Sequence, residues 1–150
     1  MIKYYWMNQA AGHRMFTAMD QDEIAALGAS LRQIDQRLLT PAKEEGNTRV
    51  WYQGGEPYFD LFVELRQGKI VWFQFTLRGK SLSWNPNTSG WQTGITNELR
   101  TDDVAFYPAS KLLESDKQPD WAFIKLAYSI LQTRAGEENF DKILALFDVD

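Results

Sequence analysis

The chain has 150 residues, 44% of them hydrophobic, with 16 basic and 20 acidic side chains, a net charge of −4 and no cysteine. A chain of this length buries a core of its own without metals or crosslinks, and the missing thiols exclude disulfide scaffolds, thiolate metal sites and cysteine nucleophiles. The mild acidity argues against a phosphate-backbone binder, whose affinity rests on a basic face.

The opening stretch MIKYYWMNQAAGHRMF lacks a basic segment leading into a long apolar run, so it does not read as a signal peptide. No window approaches the roughly 18 apolar residues of a membrane span. A soluble, cytoplasmic protein is expected, with no nucleic-acid or membrane partner. Within the opening stretch Ile2–Met7 reads as a short strand rich in aromatic β-formers, and Gly12–Phe16 as either a second short strand or a loop. A helix then starts at Asp20, with Glu23 three residues later as in a capping box and Asp22 placed at the positive end of the helix dipole. Ile24, Leu27, Leu31, Ile34 and Leu38 recur at helical spacing, and Thr40-Pro41 is the expected stop. This narrow stripe suits packing on a sheet; as a coiled-coil seam it would be under three heptads long.

After a polar loop, Arg49–Gln53 reads as a strand ending at Gly54-Gly55, and Pro57 admits the next one, Tyr58–Leu65. The stretch that follows, KIVWFQFTLRGKSLSW (69–84), alternates an apolar set, Val71, Phe73, Phe75 and Leu77, with Trp72, Gln74, Thr76 and Arg78. A two-residue turn at Gln67-Gly68 would set Leu61 opposite Gln74 and mix the faces of this hairpin. A three-residue loop, Arg66-Gln67-Gly68, would instead set Val63 opposite Val71, Leu61 opposite Phe73 and Phe59 opposite Phe75, and is the expected arrangement. On the other face Phe62 would then meet Trp72, Asp60 meet Gln74, Tyr58 meet Thr76 and Glu56 meet Arg78, each pair worth about 0.2–1 kcal/mol. Past Arg78 the phase breaks. Gly79 is either a bulge or half of a tight Arg78-Gly79 turn that places Phe75 opposite Leu82 and Phe73 opposite Trp84; both return Leu82 and Trp84 to the core.

Asn85–Gly90 (NPNTSG) is a turn cluster and Trp91–Thr96 a last strand, followed by a polar stretch, Asn97–Asp103, and a short apolar one, Val104–Tyr107. Glu114–Gln118 is turn-like. Pro119 opens a second helix, with Trp121, Phe123, Ile124, Leu126, Ala127, Tyr128, Ile130 and Leu131 apolar around most of its circumference, and Gly136 closes it. Glu137–Phe147 is a third helix that turns Phe140, Ile143, Leu144 and Phe147 inward. With no repeat, linker or low-complexity segment, residues 1–150 are expected to form a single α+β domain. Its sheet would have about five antiparallel strands, with an N-terminal helix and two C-terminal helices packed mainly on one face.

Catalytic chemistry finds little to work with. His13 is the only histidine, no G-x-S-x-G stretch accompanies it, and neither phosphate-cradling glycine motif is present. Asp102-Asp103 lacks the calcium-loop pattern, so no metal and no cofactor are expected. Asp60 and Glu64 share a strand face at a spacing that acid–base work on a sugar would tolerate, but alternating charges on a solvated strand are far commoner. No catalytic residue is assigned. The informative surface is the polar face itself: Glu56, Tyr58, Asp60, Phe62, Glu64, Trp72, Gln74 and Arg78 combine rings with varied hydrogen-bonding groups, the mixture that protein interfaces favour. The expected function is a non-enzymatic protein-binding module, similar in size and charge alone to immunity-type inhibitors and small acidic secretion chaperones. Its partner would be another protein with a basic surface facing Glu56, Asp60 and Glu64, and a homodimer is compatible with the same face. The alternative is a small-ligand or carbohydrate-binding domain using Trp84, Asn85, Asn87 and Trp91, where rings flank amides and hydroxyls.

Overall fold

Asp20 starts the first helix as its side chain predisposes it to do: its carboxylate accepts the Glu23 N–H at 2.8 Å. The computed structural model describes residues 19–39, 41–42, 44–87, 90–96 and 112–147. Helix α1 spans Gln21–Ser30, with Ile24 and Leu27 buried. It ends ten residues before the expected stop at Thr40-Pro41. Leu31 is buried just beyond the helix, Arg32–Gln33 forms strand β1, and Leu38 lies in a 3-10 turn (Gln36–Leu38), three-quarters exposed. The reason is local competition for the backbone. The Ser30 hydroxyl donates back to Leu27 O at 2.7 Å, Ile34 gives its N–H to Trp51 O at 2.8 Å, and Asp35 caps the 3-10 turn through the Arg37 N–H at 2.9 Å. The Arg37 guanidinium also binds Asp35 and holds its carboxyl below the ordinary aspartate range. The apolar spacing that suggested one long helix is thus divided among three kinds of structure.

The strands that follow are β2 (Asn47–Gln53), β3 (Asp60–Arg66), β4 (Lys69–Leu77), β5 (Lys80–Trp84), β6 (Gln92–Thr96) and β7 (Leu112–Ser115). With β1 they make one seven-stranded sheet in sequence order, antiparallel throughout, which exceeds the expected five strands but keeps the α+β class. β3 begins at Asp60, not Tyr58. Tyr58 has φ of 60° and belongs to the turn that returns the chain, with Gly54 N–H donating to Phe59 O at 2.7 Å. β7 takes in Glu114 and Ser115, so the turn expected at Glu114–Gln118 starts later.

The β3–β4 hairpin corrects the expected loop. Gln67 and Gly68 have φ of 51° and 78°, a two-residue type I′ turn, with Arg66 opposite Lys69 and Leu65 opposite Ile70. That turn alone would mix the faces. The register shifts between Glu64 and Leu65, so that Glu64 faces Trp72, Val63 faces Phe73 and Leu61 faces Phe75, leaving Val71 as the extra residue of a β-bulge. A bulge one step from the turn does what a longer loop was expected to do. Relative to that expectation every pair moves by two residues, so the faces stay the same and only the neighbours change: Phe62 meets Gln74, and Asp60 meets Thr76. At the next hairpin Arg78 and Gly79 have φ of 50° and 85°, the tight-turn alternative, and Phe75 pairs with Leu82 and Phe73 with Trp84 as that turn requires.

One face of the sheet is core. Val50, Tyr52, Leu61, Val63, Phe73, Phe75, Leu77 and Leu82 are all buried, and burying each such side chain is worth about 1.5–3 kcal/mol. Phe59 meets Phe75 edge-on at 5.7 Å, and Trp91 meets Phe73 at 5.8 Å. By its contacts the chain divides into two compact units: residues 31–119, which hold the sheet, and residues 1–30 with 120–150, which hold the helices.

In the helical unit α2 spans Trp121–Gln132 and α3 spans Glu138–Phe147. Asp120 caps α2, accepting the Phe123 N–H at 3.1 Å, so Pro119 lies before the cap and not at the first helical position. Eight of the twelve α2 residues are buried, which accounts for the nearly continuous apolar character of this helix. On α3, Phe140, Ile143 and Phe147 are buried, Leu144 less so, and the Phe147 ring lies 5.2 Å from that of Tyr128. α1 approaches α2 at Gly28, where a Cβ would come within 2.9 Å of Ile130 O and collide with the Thr133 side chain. Arg134 closes the unit: it donates to Gly28 O at 2.9 Å and to Glu137 at 2.8 Å, and lies 4.7 Å from the Phe140 ring centroid.

Candidate functional site

The second face of the sheet carries the residues that sequence patterning marked. Because side chains alternate along each strand, Arg49, Trp51 and Gln53 of β2 share this face with Asp60, Phe62 and Glu64 of β3, Trp72, Gln74 and Thr76 of β4, and Ser81 and Ser83 of β5. The face has two ends that differ in character.

At one end the turn before β3 folds over the sheet. Asp60 is fully buried and its Oδ1 accepts the Trp51 indole N–H at 3.0 Å. Thr76, also buried, donates its hydroxyl to Tyr58 O at 3.2 Å, and Ser81 and Gly94 continue the same buried row. Glu56 meets Arg78 as expected, through Arg78 Nε to Glu56 Oε1 at 2.9 Å, although neither lies within a strand. Glu56, Tyr58, Asp60 and Arg78 therefore belong to an internally bonded end.

At the other end Phe62, Glu64, Trp72 and Gln74 are half-buried and open. Phe62 stacks on Trp51 of the neighbouring strand, ring centroids 5.3 Å apart and planes at 11°. Glu64 is fixed by two donors, Arg49 Nε at 3.2 Å and Asn47 Nδ2 at 2.7 Å. Trp72 sits directly across from Glu64, so a row of guanidinium, carboxylate and indole crosses three strands beside the aromatic stack.

This open end leads into a polar cleft of about 480 Å³. Its floor is a block of four cross-strand residues, Asn47 opposite Arg66 and Arg49 opposite Glu64, bordered by Glu44, by the bulged Val71, and by Pro86 and Asn87 of the β5–β6 turn. Arg66 Nη1 donates to Glu44 Oε2 at 3.1 Å. A second polar depression of about 410 Å³ also borders Glu44, Asn47 and Arg49, and adjoins the segment leading into β2.

The two groups of candidate residues thus meet at one point, where Glu64 of the polar face and Asn87 of the β5–β6 turn line the same cleft. The rest of the loop set diverges. Trp91 is buried against Phe73 and presents little ring, Trp84 is half-buried opposite Phe73, and Asn85 Oδ1 accepts the Asn87 N–H at 2.8 Å in an Asx turn. Patterning does not reach Arg49 and Trp51, because it gives β2 no register, nor Arg66, which it places in the expected loop; pairing β2 to β3 on its apolar residues would place Trp51 beside Phe62. His13 and Asp102-Asp103 lie outside the described residues. Among the described residues no group of three or more His, Cys, Asp or Glu is placed to hold a metal ion, and no helix is long and apolar enough to cross a membrane. No protein-family model, curated protein or solved structure matches the chain, so the geometry itself carries the functional argument.

Proposed function

We propose that this chain is a non-enzymatic protein-binding module that takes its partner on the open end of the polar sheet face. The observation that carries this reading is the half-buried aromatic group, Trp51 stacked on Phe62 with Trp72 and Gln74 beside it, held on strands and flanked by the Arg49–Glu64 pair. Rings fixed by strand pairing present area at little entropic cost, and amides and ion pairs at their rim supply orientation. On this reading the two carboxylates serve as fixed acceptors within the sheet: Asp60 is fully buried with the Trp51 indole on it, and Glu64 accepts two hydrogen bonds.

The net charge of −4 favours a partner with a basic surface, whose approach it steers at long range. The close contacts on this reading are aromatic and amide ones, since Glu56, Asp60 and Glu64 are each engaged by donors of the chain itself. A cytoplasmic setting, and a role of the immunity-inhibitor or secretion-chaperone kind, accord with the lack of cysteine and the small acidic chain. The test is a crosslinking pull-down from the native host with the intact chain and with a Trp72→Ala, Gln74→Ala variant whose circular dichroism is unchanged. A partner captured by the first and lost by the second is the expected result. Equal capture by both would sink the interface.

A further inference from the structure

We propose a second site, adjoining the protein-binding face and sharing the Arg49–Glu64 pair with it: the 480 Å³ cleft at the Asn47–Arg66 end of the sheet binds a small zwitterion of the amino-acid class. Its size falls within the range of ligand pockets, about 300–1,000 Å³, but its lining is polar. Among the described residues that line it only Val71 and Pro86 are apolar and none is aromatic, so the described lining matches neither an apolar ligand nor a sugar seeking a stacking surface.

Among the described residues the charged lining is two arginines and two glutamates, equal numbers of each sign. Arg49 uses only Nε on Glu64, and Arg66 only Nη1 on Glu44. Among the described residues the remaining guanidinium N–H groups of both have no protein acceptor, and Arg66 stands one diagonal step from Arg49 across the β2–β3 ladder. Paired guanidinium donors of this kind suit a carboxylate. Glu64 already accepts from Arg49 and Asn47 and is 18% exposed, whereas Glu44 accepts a single bond and is 71% exposed, so Glu44 is the carboxylate more accessible to an ammonium group. A simple anion would gain the arginines while facing two carboxylates, and a simple cation the reverse. A molecule carrying both charges pairs with both. Asn87, exposed and also lining the cleft, offers an amide to the same ligand.

The experiment is an amide NMR titration of the full chain with three probes of similar length: L-glutamine, succinate and putrescine. L-glutamine should shift amides confined to the cleft, with Asn47, Arg49, Arg66 and Asn87 among them. Succinate and putrescine should bind at least about tenfold more weakly. Arg66→Gln, at a half-exposed position, should weaken L-glutamine about tenfold or more, and Arg49→Lys should do the same while keeping the charge, because it removes the fork geometry. Spectra unchanged outside the cleft show that the variants are folded. The proposal is overturned if L-glutamine causes no shifts at concentrations on the order of 10 mM. It is equally overturned if either probe carrying charge of one sign only, the succinate dianion or the putrescine dication, binds as tightly, or if Arg66→Gln leaves binding unaltered. Loss of partner capture in the Trp72 variant bears on the protein-binding face and leaves this outcome untouched.

Discussion

Asp60 is the residue whose role changes most between sequence and structure. On a strand read by alternation it is one more charge on a wet face; in the fold it is fully buried, with the Trp51 indole N–H on its carboxylate. Alternation could not reveal this, because the cover comes from the turn before β3, whose path depends on the positive φ of Tyr58. Replacing Asp60 with Ala removes that acceptor and should cost about 1–3 kcal/mol, read from urea unfolding. Asp60→Asn keeps an acceptor of the same shape and should lose less; equal losses would mean that packing, not the hydrogen bond, matters there. Glu137 offers a pH-dependent case. Arg134 holds its carboxyl below the ordinary glutamate range, so the charged form is favoured in the folded state. Its stabilising contribution is therefore complete above the unfolded value, about 4.3, and is lost as pH falls through the lower folded value. Glu137→Gln should lower the urea midpoint at neutral pH, with the difference from the parent chain shrinking towards zero in acid. A difference that persists at low pH would assign the effect to packing. Because Glu137 is about half exposed, 49%, the effect should be small.

Elements were legible where one physical rule acted alone. The Asp20 cap, the apolar α2 and the inward residues of α3 follow from capping and periodicity, and each is in place. Where two rules competed, the sequence left the outcome open or pointed the wrong way. The Ile24–Leu38 spacing obeys a helical period, yet the Ser30 hydroxyl on Leu27 O, the Ile34 N–H on Trp51 O and the Asp35 side-chain cap divide it. At Gln67-Gly68 the turn rule and the face rule conflict, and the bulge at Val71 satisfies both. The Arg78-Gly79 turn is the simpler case, since its two-residue solution already matches the faces. Gly79, at φ of 85°, occupies a conformation that side chains resist, so Gly79→Ala should destabilise the chain by about 1–2 kcal/mol. Denaturant unfolding measures the loss. A neutral result would mean that the turn relaxes into another type without disturbing the Phe75–Leu82 register.

At the scale of the whole molecule, what the sequence made legible is the class and the face, and what it left out is how the face is divided. An α+β chain with one apolar and one polar sheet surface follows from alternation and the helical spacings. That the polar surface is internally bonded at the Asp60 end and open at the Trp72 end depends on long-range pairings that no local pattern encodes. This division has an energetic consequence for partner binding. Residues of the bonded end already have their hydrogen bonds, so the exposed Arg78–Glu56 pair should act only at the rim, where mutation alters the association rate and its salt dependence. Trp72 and Phe62 should behave as anchors, where truncation typically costs about 2 kcal/mol or more and appears in the dissociation rate. With the captured partner immobilised, surface plasmon resonance should therefore find Trp72→Ala dissociating at least about tenfold faster with a similar association rate. Arg78→Gln should change affinity by less than about 1 kcal/mol, with any effect fading as salt rises. The reverse pattern, with Arg78 dominant and Trp72 neutral, would move the interface to the turn that covers Asp60.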